Sequence, residues 1–271
     1  MVRILVKVGG AQLEEAAGRA TFAAAVREAL GAGHEIVVVH GGGNQIRSLS
    51  ARLGLEDRYH DGLRVTDAAT AEVVLMVLGG SVNRRLVWSL ERAGVRAVGL
   101  SGADGSTFQA SRHRPGGRDL GYVGKVERVR PDLIEVLLGA GYVPVLATSA
   151  PGADDAAARA PFFNVNADMA AGPLSRALGA AVLLFLTDVP GVLGAGGDRL
   201  PSLTPAACAR LAASGVIGGG MQPKIDAALA ALHAHPAATV KIAPASGPHA
   251  ILAALEPATG TAFVTGEVAH G

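Results

Sequence analysis

A single cysteine, Cys208, stands among 271 residues, so no internal disulfide can form. Its Ala-rich helical surroundings mark it as a small buried thiol rather than a nucleophile. Charge of one sign is also lacking. Lys and Arg number 24 against 23 Asp and Glu, a formal net charge of +1, and no long run of like charge occurs. Nothing therefore offers a nucleic-acid surface, while small anionic ligands stay open. The apolar runs are too short or too broken by glycine to suggest a membrane span, and no leader precedes the first apolar stretch. We expect a cytoplasmic protein that uses no membrane. Neither the P-loop pattern nor G-x-G-x-x-G occurs, so any phosphate site must be built differently.

What the chain does have is 49% hydrophobic against 17% charged residues. That suits one large α/β domain or two moderate ones with a substantial core, not a disordered or coiled-coil chain. The first ten residues organise the rest. Arg3-Ile4-Leu5-Val6-Lys7-Val8 reads as a strand buried on both faces, broken at Gly9-Gly10. Lys7 is the cation inside it, and a buried ammonium is costly unless an anion meets it. Ligands gather at the carboxyl ends of strands in open α/β sheets, and glycines there let an anion approach the backbone. A lysine snorkelling from the strand end is the competing reading.

Downstream, a helical segment from about Thr21 to Leu30 and a strand, Glu35 to His40, complete a β-α-β unit. Gly41-Gly42-Gly43 then opens a helix reaching about Leu53. Three glycines before a helix N-terminus present free N–H groups and a positive dipole end, which suits phosphate or carboxylate. Thr66 is the expected N-cap of a helix running from Asp67 to about Arg92. That helix is apolar nearly all round, so either the sheet's own layer or a homodimer seam must cover its second face. Arg64, without an acidic partner at i+4, is either a surface arginine or a two-point grip for a carboxylate.

Further strands are expected from Val95 to Leu100 and Tyr142 to Leu146, with a mobile basic hairpin tip over Arg112 to Asp119 and a loop over 150–160. Asn164-Val165-Asn166-Ala167-Asp168 brings three polar residues to one helix start, where a cap needs only one. Ala181 to Leu186 is a buried strand. Gly218-Gly219-Gly220 leads into a second helix with a lysine, Lys224, at its mouth. A strand from Thr239 to Ile242, a helix from Pro248 to Leu255 and a strand from Thr261 to Val264 close the chain. The alternation predicts a three-layer αβα sandwich with a mainly parallel central sheet.

Two glycine-rich anion loops, two lysines and one aspartate at a helix mouth suggest phosphoryl transfer. Six motifs then occur in the order of a known family: Lys7-Val8-Gly9-Gly10, His40-Gly41-Gly42-Gly43, Asp61-Gly62-Leu63-Arg64-Val65-Thr66, Asn164-Val165-Asn166-Ala167-Asp168, Leu186-Thr187-Asp188-Val189-Pro190-Gly191-Val192 and Gly220-Met221-Gln222-Pro223-Lys224. On these, the chain resembles the amino acid kinase family over nearly its whole length. The resemblance implies ATP-dependent phosphorylation of the γ-carboxylate of N-acetyl-L-glutamate, a step of arginine biosynthesis. It implies catalytic roles for Lys7, Lys224 and Asp168, and acetylglutamate binding by Gly42, Gly43, Arg64 and Asn164. Nucleotide binding falls to Gly9, Gly10, Asp188, Val189, Pro190, Gly191, Val192, Leu193, Val216, Ile217 and Gly218. Magnesium would arrive with ATP, with no metal site of the protein's own. The motif order further implies an acetylglutamate lobe with the dimer seam over 1–175 and an ATP lobe over 176–271.

The same chemistry on an aminoadipate derivative or N-succinylglutamate, and a non-catalytic amino-acid sensor on the same fold, are the competing readings. The chain departs from the family pattern at Ile242 to His249, which lacks the Asp-Gly-Arg often found before Pro-His. Arginine-inhibited members carry an extra helix before the first strand, where this sequence has only Met1 and Val2. A homodimer insensitive to arginine is the resulting expectation.

Overall fold

The computed structural model describes residues 1–153 and 162–266; most of the loop expected over 150–160 lies outside the described residues. The apolar runs form a central eight-stranded sheet. Its order is β12 (Ser202–Leu203), β14 (Thr261–Phe263), β13 (Thr239–Pro244), β11 (Val182–Thr187), β1 (Arg3–Val8), β2 (Glu35–His40), β8 (Val143–Ala147) and β5 (Ala97–Leu100). All neighbouring pairs run parallel except β13 with β14. Helices cover both faces, so successive strand residues are buried alternately on either side and the strand sequences read as continuous apolar runs. Ile4 and Val6 pack with Ile36 and Val38 against α2 (Ala16–Gly31), α5 (Asn83–Arg92) and α10 (Ala250–Leu255). Leu5 packs with Val37, Val39 and Phe185 on the other face, against α6 (Asp132–Gly139), α7 (Ala167–Ala177) and α9 (Met221–Ala234). Each fully buried Leu, Ile or Phe contributes about 1.5–3 kcal/mol, which makes this two-sided burial the main stabilising term.

A second sheet, in the order β6 (Phe108–Arg112), β7 (Val123–Val129), β10 (Phe163–Val165) and β9 (Ser149–Ala150), caps the second face near the carboxyl ends of the main strands. A two-stranded hairpin, β3 (Tyr59–His60) with β4 (Leu63–Arg64), overhangs the same end. The basic tip between β6 and β7 is where the sequence places it, with Arg112 and Arg114 both on Asp119. The described residues also include α1 (Ala11–Glu14), α3 (Gly43–Arg52), α4 (Ala68–Leu75) and α8 (Pro205–Ala213). Cys208 lies buried in α8, and burial pushes its thiol up.

The expected long helix after Asp67 is not one α-helix. A π-helical stretch, Met76–Val82, separates α4 from α5 and contains Gly79-Gly80. Asp67, not Thr66, caps it, its side chain accepting from the Thr70 N–H at 2.8 Å. By length and composition Ala68–Arg92 is long and apolar enough to cross a membrane, at a mean hydropathy of 1.2 over its most apolar window, but Gly79-Gly80 breaks the run and its inner face is spent on the core. Here Val73, Val77, Leu78, Leu86 and Leu90 cover the sheet, which settles its inner face. Its outer face leaves Met76 51% and Trp88 65% exposed.

Chain order fixes where a ligand can enter. From β1 the chain passes to β2 on one side and later returns as β11 on the other, so strand order reverses between β1 and β11. At such a switch point the loops diverge and leave a crevice outside the carboxyl ends.

Candidate active site

Lys7 lies near the carboxyl end of β1, 6% exposed, in register with Val39 and Phe185. It does not snorkel. Its Nζ sits 2.8 Å from Asp168 Oδ1, while Lys224 Nζ donates to Asp168 Oδ2 at 3.0 Å. One carboxylate thus bridges two ammonium groups. Asp168 occupies the first turn of α7, whose dipole favours an anion. Asn166 caps that helix, its Oδ1 accepting from the N–H groups of Asp168 and Met169. Lys224 comes from the first turn of α9, which packs against α7 closely enough that a Cβ on Gly172 would lie 3.1 Å from Ala231 Cβ.

Burial pulls the Lys7 ammonium below its ordinary range, opposed by Asp168 and reinforced by Lys224. For Asp168, burial alone pushes the carboxyl up, but the two lysines together outweigh it and hold it below the usual carboxylate range. The cluster therefore keeps an ionised carboxylate between two cations, leaving one net positive charge facing the crevice.

A cleft of about 220 Å³ opens beside this triad, and Gly9, Gly10, Gly42, Gly43, Arg64 and Asn164 all line it. α3 begins at Gly43 with no side chain capping its N-terminus, and Gly42 and Gly43 at that end line the cleft, so its first N–H groups are left for a ligand. Gly42 must be small: a Cβ there would lie 2.9 Å from Leu78 and 3.1 Å from Val82. Arg64 is 7% exposed. Its Nη2 donates to the Gly43 carbonyl at 2.9 Å, it pairs with Asp57, and its guanidinium lies 4.8 Å from the centre of the Tyr59 ring. Burial lowers its pKa to about 10, which leaves it charged at neutral pH. Asn164 donates to Thr66 Oγ1 at 3.1 Å, and that hydroxyl donates to the Arg64 carbonyl at 2.7 Å. Arg64 is thus a buried, held cation and not a surface arginine.

Tyr59 also lines the cleft, while Asp57 and Thr66 hold Arg64 and Asn164 from outside it; none of the three was among the residues expected for the site. Charge near Arg64 in the sequence could have suggested Asp57; a lone Tyr59 carries no such signal.

The segments expected to hold a nucleotide form a second pocket. Val189, Gly191, Val192, Leu193, Val216, Ile217 and Gly218 line it, with Met221. Asp188 and Pro190 are exposed beside it and do not line it. Its walls are apolar, and its backbone is held in place. Thr261 Oγ1 accepts from the Val192 N–H at 2.9 Å, and a Cβ on Gly191 would lie 2.7 Å from that oxygen. Met221 is one helical turn from Lys224, so this pocket abuts the lysine pair through α9. Gly9 and Gly10, expected on the nucleotide side, line the cleft next to Lys7 and not this second pocket.

A parallel-dominated αβα sandwich with paired lysines on one helix-mouth carboxylate defines a class. The pattern of the amino acid kinase family matches residues 2–241, and the chain belongs to that family. Among individual relatives, the acetylglutamate kinase of Chloroflexus aurantiacus is 42% identical over 266 residues, 98% of each chain. That of Solibacter usitatus is 43% identical over 250 residues, 92% of this chain and 94% of its own. A solved structure from Streptococcus mutans UA159 superposes with a TM-score of 0.81 at 28% identity, covering 97% of this chain and 99% of its own. Carbamate kinase from Giardia lamblia, bound to AMP-PNP, shares the fold at a TM-score of 0.71 and 13% identity, covering 98% of this chain and 99% of its own.

Proposed function

We propose that this protein transfers the γ-phosphoryl group of ATP to the γ-carboxylate of N-acetyl-L-glutamate, giving N-acetyl-L-glutamyl 5-phosphate and ADP in arginine biosynthesis. The observation that carries this reading is the Lys7–Asp168–Lys224 bridge beside a cleft walled by glycine N–H groups and a held arginine. The likeness to acetylglutamate kinases over nearly the full chain supports the choice of acceptor.

The chemistry follows from charge. A γ-carboxylate is already ionised at pH 7 and needs no general base, so the barrier is chiefly repulsion between anions brought into line. Preorganised cations and backbone donors lower such a barrier because they need no reorganisation as charge moves to the leaving oxygen. Lys7 from a strand end and Lys224 from a helix start, held by Asp168 at 2.8 and 3.0 Å, neutralise the transferring group on this reading. The N–H groups of Gly42 and Gly43 receive the attacking carboxylate, and Arg64 with Asn164 holds the rest of the amino acid. Gly9 and Gly10 lie between the two, where backbone can approach the phosphates. The pocket from Val189 to Leu193 and Val216 to Gly218 takes the nucleotide base and sugar; magnesium on the β- and γ-phosphates adds charge neutralisation when ATP is bound. On this assignment residues 1–175 form the acceptor lobe and 176–271 the nucleotide lobe, although one sheet runs through both by way of β1 and β11.

The exposed Met76 and Trp88 on the outer side of the α4–α5 segment support a two-fold dimer seam there. Light scattering is expected to give a dimer for the parent and a monomer for Trp88→Glu. Use of ATP-Mg fits work in the cytoplasm.

Product chemistry tests the transfer. Hydroxylamine added during turnover is expected to trap the acyl phosphate as the γ-hydroxamate of N-acetylglutamate. ADP formation without hydroxamate would place the phosphoryl group on something other than a carboxylate.

A further inference from the structure

The glycine loop between β2 and α3 has no side chains by which to be pinned, yet it must present its N–H groups in one direction. Arg64 holds one end at the Gly43 carbonyl. At the other end His40 is fully buried, and its Nδ1 lies 2.9 Å from the Gly41 carbonyl. Asn83, also fully buried, meets the opposite ring nitrogen: its Nδ2 is 2.9 Å from His40 Nε2 and 2.9 Å from the Val145 carbonyl. Because Val145 offers only an acceptor, that amide group must donate, so Nε2 must accept and Nδ1 must carry the proton. The Gly41 carbonyl therefore receives a donor whose tautomer is dictated from 43 residues away. Burial keeps the ring neutral, lowering His40 to about 4.

Two features make this pair more than incidental packing. Asn83 Oδ1 is buried without a hydrogen-bond partner among the described residues, a cost an apolar side chain would avoid. Gly99 on β5 is left bare to admit it: a Cβ there would lie 1.8 Å from that oxygen. Asn83 also directly follows the π-helical stretch Met76–Val82, whose Leu78 and Val82 stand against Gly42. Unusual helical turns of this kind recur where a side chain must be aimed.

The geometry points to His40 and Asn83 as a positioning pair for the acceptor loop: Asn83 fixes the His40 tautomer, and His40 Nδ1–H fixes the Gly41 carbonyl, so that the Gly42 and Gly43 N–H groups face the cleft. This deepens the reading of the site given above and rests on it for the kinetic part only.

Two replacements of His40 separate the two hydrogen bonds. Asparagine places its amide where Nδ1 lies and keeps the donor to Gly41; glutamine reaches the Nε2 position and keeps only the contact with Asn83. The measurements are hydrogen–deuterium exchange of residues 41–44 in the free protein, kcat and KM for both substrates, and thermal midpoints. In His40→Gln the loop amides are expected to exchange at least tenfold faster and kcat to fall at least tenfold, with KM for ATP-Mg within twofold. In His40→Asn exchange and kcat are expected to change threefold or less, at a similar loss of thermal stability. Equal exchange and equal kcat in the two variants, or an unchanged loop in His40→Gln, overturns the proposal. Asn83→Ala provides a route that leaves His40 in place, with the same pattern expected at about threefold; parent-like exchange there overturns it too. Failure of the parent to phosphorylate acetylglutamate would sink the functional reading, while the exchange experiment, which needs no substrate, still decides the positioning role.

Discussion

Replacing Asp168 with asparagine removes the one negative charge between the buried Lys7 and the half-buried Lys224 while preserving shape. The N–O separations are 2.8 and 3.0 Å, so across a carboxylate the ammonium groups stand at most about 8 Å apart, a repulsion of about 2 kcal/mol at an effective dielectric of 20. Lys7 also loses an anion at about 3 Å, worth about 5 kcal/mol at the same dielectric, or about four pH units without relaxation. The cleft is open to water, which screens most of that, and a displacement of at least about one unit remains. The sign is fixed by which form works. The Lys7 ammonium is the useful species and burial already lowers its pKa; activity is therefore held below that pKa and lost as pH rises through it. In Asp168→Asn the alkaline limb of kcat should move to lower pH by at least about one unit, with kcat at its optimum down by about 100-fold or more. Discontinuous ADP formation between about pH 6 and 10 reads both. An alkaline limb that stays put, or moves to higher pH, would refute the reasoning.

Lys224→Ala should lower kcat by about a hundredfold or more with a much smaller change in acetylglutamate KM, as for loss of one transition-state donor; steady-state kinetics decide it. Arg64→Lys should do the reverse, raising acceptor KM most because the charge survives and the two-point grip does not. Gly42→Ala must force its Cβ against Leu78 and Val82 and should cost about 1–3 kcal/mol of stability by denaturant unfolding, with acceptor affinity falling in parallel. Asp168, held below its ordinary 3.8, contributes stability present above that pH and lost as pH falls through its folded-state pKa. Thermal melts of the parent should therefore weaken below about pH 4, and those of Asp168→Asn should weaken less.

How much of this could be read in the sequence depends on the range of the signal. Lys7 stood out because a cation inside a doubly buried strand has to be answered, and Asp168 because three polar residues crowd one helix start. Both meanings are local. The three-layer sheet was readable for the same reason: buried parallel strands leave uninterrupted apolar runs. Glycines 79 and 80 inside an apolar run look the same in an α-helix and in the wider turn they occupy, so the π-helical stretch left no mark. Thr66 and Asp67 are equally good caps on paper. The choice fell to Asp67 because the Thr66 hydroxyl is taken by Arg64 and Asn164. Asp57 reaches Arg64 through a hairpin whose geometry no periodicity records, and His40 meets Asn83 only because β2, β8 and β5 lie side by side under α5. Asp188 and Pro190 came from the family motif, and they flank the pocket proposed for the nucleotide without forming its wall.

The central claim is the acceptor. ADP release from ATP-Mg should be measured with N-acetylglutamate, N-succinylglutamate, glutamate and aminoadipate side by side, each at saturating nucleotide. N-acetylglutamate is expected to give the highest kcat/KM, and free glutamate, whose ammonium would meet the cationic cleft, little or no turnover. Equal or greater kcat/KM with any other member of the panel, or no turnover with any of them, would contradict it.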